Sequence, residues 1–123
     1  MEKYINKDTI DRASVHVDDL ISYKLLLSKL GISKKDEFDI LEHENAHANV
    51  AEQNKGLLEG YKILFVRKGN GFYYKPYIGL SNNVLNQFDD QKRKEILGNI
   101  IIAPEIYGNK LSEGDKRNLE ELK

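Results

Sequence analysis

The sequence predicts an α+β domain that is mainly helical and carries one β-hairpin. Apolar residues recur at helical spacing both before and after the middle of the chain. Between these regions, two aromatic and β-branched runs flank Gly69-Asn70-Gly71, and Asn-Gly is the strongest short-range hairpin signal. The chain has 123 residues, which fits one domain over residues 1–123.

Two helices are predicted before the hairpin. The first runs from about Thr9 to Leu30, because its apolar residues follow a broad helical stripe and Gly31 provides a stop signal. The second begins after Ser33, which suits an N-cap with Asp36 as its partner, and runs to about residue 54.

Two further helices are predicted after the hairpin. The third runs from about Asn86 to Ile102, with Asp89-Asp90 in its N-terminal turn. Pro104 is expected to break or restart it, because proline cannot donate an intrahelical hydrogen bond. Ser112 opens a short last helix. The expected core residues of the third helix are Phe88, Ile96, Leu97 and Ile100.

Composition excludes several classes of protein. Charged residues make up 32% of the chain and the formal net charge is −1, which is not the footprint of a nucleic-acid-binding protein or a polybasic membrane anchor. Cysteine is absent, so a disulfide framework, a thiolate metal site and a cysteine nucleophile are excluded. No apolar run is long enough to span a bilayer, and no signal peptide is recognised. We expect a soluble, cytoplasmic protein that binds neither nucleic acid nor membrane.

The most distinctive motif, His-Glu-Asn-Ala-His at residues 43–47, lies in the second predicted helix. A spacing of four places His43 and His47 on one helix face, where two imidazoles can hold one Zn²⁺. Glu44 is rotated by about 100° around the axis, so it can miss the metal and reach a metal-bound water. Zinc lowers the pKa of that water, and a carboxylate can take its proton. The motif predicts a hydrolytic zinc site, the alternative being a solvated histidine pair on a charged helix.

A third ligand has to come from elsewhere, because catalytic zinc usually has three protein ligands and a water. The metzincin extension of the motif is absent. Asp115 also fits a capping box with Ser112, which explains it without a metal. His16, between two valines, is typical of a surface or partly buried histidine. The candidates by residue type are His16, Asp89, Asp90, Glu95, Glu105 and Asp115.

Four segments, in their order, resemble the peptidase domain of the membrane-bound AAA+ zinc proteases, the FtsH family. Residues 43–50 (HENAHANV) resemble the family's HExxH helix, and residues 61–78 resemble its hairpin. Residues 101–108 (IIAPEIYG) resemble a helix end, and residues 111–122 (LSEGDKRNLEEL) resemble the segment that supplies the third zinc ligand. The resemblance covers about residues 39–122 and implies a zincin-like, FtsH-type fold in which the hairpin follows the HExxH helix.

The same resemblance implies a site and a function. Asp115 becomes the third Zn²⁺ ligand beside His43 and His47, with Glu105 as runner-up, and Glu44 becomes the general base. The implied protein is a zinc metalloendopeptidase acting on peptides or unfolded proteins, as a stand-alone domain without the family's ATPase module. A separate ATPase partner or a homo-oligomer is left open.

Two alternatives to the enzyme are kept. The first is a catalytically inactive protein of peptidase fold that binds zinc, a peptide or a protein partner along its hairpin. The second is an interaction protein without metal.

The second hairpin strand has two interpretations. One of its faces is expected to join the core, and the other is either a plain sheet surface or part of an edge strand that pairs with an extended peptide. Pro76 suits an edge, where a donor is not required. The faces comprise Phe72, Tyr74 and Ile78 on one side and Tyr73, Lys75 and Tyr77 on the other.

Overall fold

A computed structural model describes residues 10–69, 71–106 and 108–122. In this part of the chain there are five helices and a three-stranded antiparallel sheet, so the predicted α+β class is confirmed. No helix among these residues is long and apolar enough to cross a membrane. The elements are β1 (Ile10–Val17), α1 (Leu20–Lys29), α2 (Lys34–Glu52), β2 (Leu58–Lys68), β3 (Gly71–Leu80), α3 (Asn82–Leu85), α4 (Asp90–Ile106) and α5 (Glu113–Glu121).

The first predicted helix is wrong in its N-terminal half, which forms β1. From Ala13 to Val17 apolar and polar residues alternate, and this is the period of a strand rather than of a helix. Asp19 then starts α1 as its N-cap, since its side chain accepts a 2.7 Å hydrogen bond from the Ser22 amide. Gly31 follows the end of α1 with φ of +77°, as its predicted role as a stop requires.

The predicted hairpin is confirmed as β2 and β3. Among the described residues the sheet order is β1-β2-β3 with antiparallel pairing, so β2 is central and β1 and β3 each have one free edge. Lys68 pairs with Gly71 at the turn, while Asn70 lies outside the described residues. A bulge at Leu58/Gly60 interrupts the register at the other end of β2.

Two apolar clusters position α2 between the sheet and α4. The first cluster joins α1, α2 and β2, and the second joins α2 to α4. Because the buried α2 residues in them are alanines, the helix can lie close to both neighbours at these positions. The buried members are Tyr23, Leu27, Ala48, Tyr61 and Ile63 in the first cluster, and Ala51, Leu57, Ile96 and Ile100 in the second.

The third predicted helix corresponds to α4, and both observed ends of α4 differ from the predicted ones. It begins at Asp90, where the Asp89 side chain accepts a 2.7 Å hydrogen bond from the Lys92 amide, so the predicted role of this acidic pair is confirmed. The short α3 occupies part of the preceding segment. The predicted break at Pro104 is wrong, because α4 continues through Pro104 to Ile106. An internal proline costs a helix about 3 kcal/mol, and the full burial of this one against its neighbours offsets part of that cost.

Candidate metal centre

The two motif histidines lie in α2 and face the same small space. Ser33 caps this helix as predicted, accepting from the Asp36 amide at 3.1 Å, and the helix is unbroken to Glu52. The Nε2 atoms of His43 and His47 are 3.2 Å apart, and the two rings meet edge to face. One cation can therefore be reached by both imidazoles.

Asp115 enters this space from α5, although it is 72 residues from His43 in the chain. Its Oδ2 lies 3.0 Å from Nε2 of His43 and 3.3 Å from Nε2 of His47. Ligand atoms about 2.0–2.1 Å from a tetrahedral zinc lie about 3.3 Å from one another. The three ligand atoms thus have the mutual spacing of a zinc site, and they form a group that could hold a metal ion.

The capping interpretation of Asp115 is also confirmed. Oδ2 accepts a 3.2 Å hydrogen bond from the Ser112 amide, and Oγ of Ser112 accepts a 3.0 Å hydrogen bond from the Asp115 amide. The capping box and the metal group are compatible, because the cap holds the carboxylate in the orientation that points it at the histidines. The start of α5 at Ser112 therefore positions the candidate ligand.

The other candidate ligands lie elsewhere among the described residues. Glu105, the runner-up, is exposed on α4, and Glu95 is exposed on the same helix. His16 is exposed on β1, where its Nε2 contacts the carbonyl of Glu59 in the bulge. The group formed with His43 and His47 contains Asp115 and none of these side chains.

A backbone carbonyl that the sequence analysis missed orients His47. Nδ1 of His47 donates a 2.6 Å hydrogen bond to the carbonyl oxygen of Ile100 on α4. This contact leaves Nε2 as the nitrogen available to a metal, and metal-binding histidines are commonly held in this way. The sequence held one signal for it, since Pro104 lies four residues later and cannot donate to that carbonyl.

Glu44 lies beside the group but outside it. Its side chain is buried and lines the same cavity as the two histidines. Burial raises the pKa of Glu44 to about 7, and the nearby His47 and His43 limit the rise. A carboxylate with a pKa near neutrality can both accept and return a proton, which is the property required of a general base.

The charges of the ligand group match those of a cation site. Burial raises the pKa of Asp115, but hydrogen bonds from His43 and from the protonated form of His47 outweigh burial and hold that pKa well below its usual range. Burial lowers the pKa of His47, whereas the hydrogen bonds to Asp115 and to the Ile100 carbonyl raise it, and the net change is upward. The group therefore attracts positive charge, and a bound metal ion would take the place of a proton.

A cavity of about 500 Å³ opens onto the group. One wall is β3, which contributes Pro76 and Tyr77. In the part of the chain that the structure describes, β3 pairs only with β2. Ile78 packs against both apolar clusters, but Tyr74 on the same face of the strand is exposed, as are Tyr73 and Tyr77 on the other face. The side chain of Phe72 is outside the described residues. Apolar lining comes from Ile40, Ile78, Leu80 and Ile101, and Lys110 and Asn118, which the sequence analysis did not single out, also line the cavity.

The raised pKa of Glu44 predicts a pH effect on the metal-free protein. The ordinary pKa is 4.5 and the folded value is about 7, so the native state holds a proton that the unfolded state releases. Stability from this residue is present below pH 4.5 and is lost as the pH rises to about 7, by about 3 kcal/mol in total. Glu44→Gln removes this loss, so its free energy of unfolding relative to wild type should increase between pH 4.5 and pH 8.

Urea unfolding of chelator-treated wild type and Glu44→Gln at both pH values measures this effect. Subtracting the two proteins cancels the titration of groups that do not interact with Glu44. A difference that does not change with pH would contradict the prediction.

The comparisons with known proteins place the chain in no group. No protein-family model matches it, and neither the curated proteins nor the solved structures give a significant match.

Proposed function

We propose that this protein is a zinc-dependent peptidase in which His43, His47 and Asp115 hold the metal and Glu44 is the general base. The observation that carries the proposal is the convergence of three ligand atoms at 3.0 to 3.3 Å from one another. The buried Glu44 follows the first ligand directly. Two imidazoles and one carboxylate suit zinc and leave one position for water or substrate.

The donor set also fits the chemistry that peptide hydrolysis needs. When bound, zinc supplies a Lewis acid that polarises a carbonyl and acidifies water. One carboxylate in the ligand set leaves a dipositive ion with a net positive charge, which favours developing negative charge on a carbonyl oxygen. The hydrogen bond between His47 and Ile100 keeps one ligand in its metal-binding orientation.

Glu44 moves the proton in this proposal. Its carboxylate accepts a proton from the attacking water and returns it to the leaving amine, so the same group acts first as base and then as acid. In the metal-free protein its pKa is about 7, because its side chain is buried. The metal would bring this pKa down from its metal-free value, because a nearby cation favours the ionised form.

The cavity supports an extended peptide as the substrate. The free edge of β3 borders the cavity, and an edge strand can pair with a peptide backbone whatever its side chains are. Pro76 on this strand lacks a donor, so a bound peptide would find one amide fewer there. The apolar walls at Ile40 and Ile101 favour apolar side chains next to the scissile bond.

The resemblance to FtsH-type peptidase domains supports peptide bonds as the target rather than another hydrolysable bond. The HExxH helix, the hairpin and the aspartate-bearing segment occur in the family's order, and in the structure all three border one cavity. We include in the proposal a zincin-like arrangement of these elements. Delivery of unfolded polypeptide by a separate ATPase belongs to the same proposal.

Metal content and metal-dependent hydrolysis test the function together. The protein is purified without chelator or histidine tag, its metals are determined by elemental analysis, and hydrolysis of casein is followed before chelation, after it, and after zinc is restored. We expect about one zinc per chain, with hydrolysis lost on chelation and recovered with zinc.

Other outcomes distinguish the alternatives. Bound zinc without hydrolysis of casein or of a mixed peptide library would favour the binding protein. No bound metal, even after zinc is added, would reject the metal centre.

A further inference from the structure

Pro104 lies in the interior of α4, four residues after Ile100. This position affects the hydrogen bonding of the Ile100 carbonyl group. In an α-helix the amide of residue 104 would bond to the carbonyl of residue 100. Pro104 has no amide hydrogen to donate, and a proline ring inside a helix is crowded against the carbonyl four residues earlier. The carbonyl of Ile100 is therefore left without its regular helical donor, inside a helix that otherwise continues to Ile106.

The donor that takes this carbonyl comes from the metal centre. Nδ1 of His47 lies 2.6 Å from the Ile100 oxygen, and the contact is buried. The two helices are held together here by the apolar cluster in which Ala51 of α2 meets Ile96 and Ile100 of α4. A carbonyl oxygen only accepts, so the proton of this bond belongs to Nδ1, and the lone pair of neutral His47 is on Nε2. Nε2 is the nitrogen that faces His43 and Asp115.

We propose that Pro104 is a positioning residue for the metal centre. By leaving the Ile100 carbonyl without a helical donor, it makes that oxygen available to His47 and so selects the tautomer and ring orientation that present Nε2 to the ion. The inference rests on the proposed metal centre, but its first step, the tautomer of His47, exists in the metal-free protein and can be measured there.

A purely structural role for Pro104 makes different predictions. Pro104 is fully buried, so a residue that only fills space or bends the helix would change stability when replaced. It would leave the proton of His47 where it is. Alanine at position 104 has an amide that can donate to the Ile100 carbonyl, and its helix propensity is higher than that of proline. The substitution also removes the buried ring atoms of Pro104. These effects on stability oppose each other. The proposed effect on His47 has a single direction, a shift towards the Nε2–H tautomer.

The experiment compares Pro104→Ala with Gly98→Ala on the same helix. A methyl group at Gly98 meets nothing within 4 Å, so this control also raises helix propensity but gives the Ile100 carbonyl no new donor. Zinc affinity is measured by competition with a chromophoric chelator. The tautomer of His47 is read from long-range ¹H–¹⁵N NMR correlations of metal-free protein at about pH 9, where imidazoles are neutral. Thermal unfolding of the metal-free proteins reports their stability.

We expect wild type and Gly98→Ala to hold His47 as the Nδ1–H tautomer and to bind zinc equally. Pro104→Ala should show a shift towards the Nε2–H tautomer and bind zinc about ten-fold more weakly, without a matching loss of metal-free stability.

Wild-type His47 in the Nε2–H form would overturn the inference, even if Pro104→Ala does not fold. Wild-type zinc affinity in a folded Pro104→Ala would overturn it as well. Failure of the wild type to bind zinc would instead reject the proposed function, so the two failures are distinguishable.

Discussion

Glu44→Gln should abolish peptide hydrolysis and leave zinc bound. Glutamine has nearly the shape of glutamate but cannot accept a proton, so the variant lacks the base while the ligand set of His43, His47 and Asp115 is intact. Loss of a general base lowers the rate by about 10² to 10⁴-fold. Hydrolysis of a quenched fluorescent peptide, measured together with the zinc content of the same preparation, gives both quantities.

The neighbouring Glu42 provides a matched control for this variant. It lies on the same helix, is exposed and carries the same charge, so Glu42→Gln makes the same chemical change outside the cavity. We expect Glu42→Gln to have wild-type turnover and zinc content. Unchanged turnover in Glu44→Gln would reject the proposed mechanism. Loss of zinc from Glu44→Gln would show that this carboxylate supports the metal rather than the proton transfer.

Removing a candidate ligand should release the metal. His47→Ala deletes a ligand atom that lies within 3.3 Å of both others, and we expect zinc affinity to fall by more than about 100-fold, since even residues that only orient a ligand contribute 10- to 100-fold. Asp115→Asn is the sharper variant. The asparagine oxygen can still accept from the Ser112 amide, so the cap of α5 is kept while the ligand charge is lost. Competition with a chelator measures both affinities.

His16→Ala and Glu105→Gln are the controls for ligand loss. His16 is the remaining histidine of the chain, and Glu105 is the acidic residue that the sequence left as an alternative to Asp115. Both side chains are exposed and lie outside the metal group of the described residues. We expect both variants to keep wild-type affinity. Loss of zinc from Glu105→Gln with retention in Asp115→Asn would contradict the assignment of the third ligand.

Several features of the fold and of the candidate site follow from neighbouring residues alone. The spacing of His43 and His47 places them on one helix face whatever surrounds the helix, because residues four apart lie one turn apart. The position of Glu44 follows from the same geometry. The hairpin around Gly69 and Gly71 and the caps at Ser33 and Ser112 are equally local, since they depend on backbone conformations that a few adjacent residues select.

Other features depend on residues that are distant in the chain and could not be predicted from local patterns. The apolar residues of 10–17 fit a helical stripe, but from Ala13 to Val17 they also alternate as in a strand, and pairing with β2 selects the strand. Pro104 was predicted to end a helix, but the burial of its ring and the use of the Ile100 carbonyl by His47 allow α4 to continue.

The proximity of Asp115 to the two histidines and the raised pKa of Glu44 depend on distant contacts in the same way. Six residues were chemically suitable as ligands, and only the packing of α5 brings Asp115 to the histidines. The raised pKa of Glu44 comes from burial that the whole fold creates. Sequence patterns report local geometry, whereas the completed site depends on contacts between elements that are far apart in the chain.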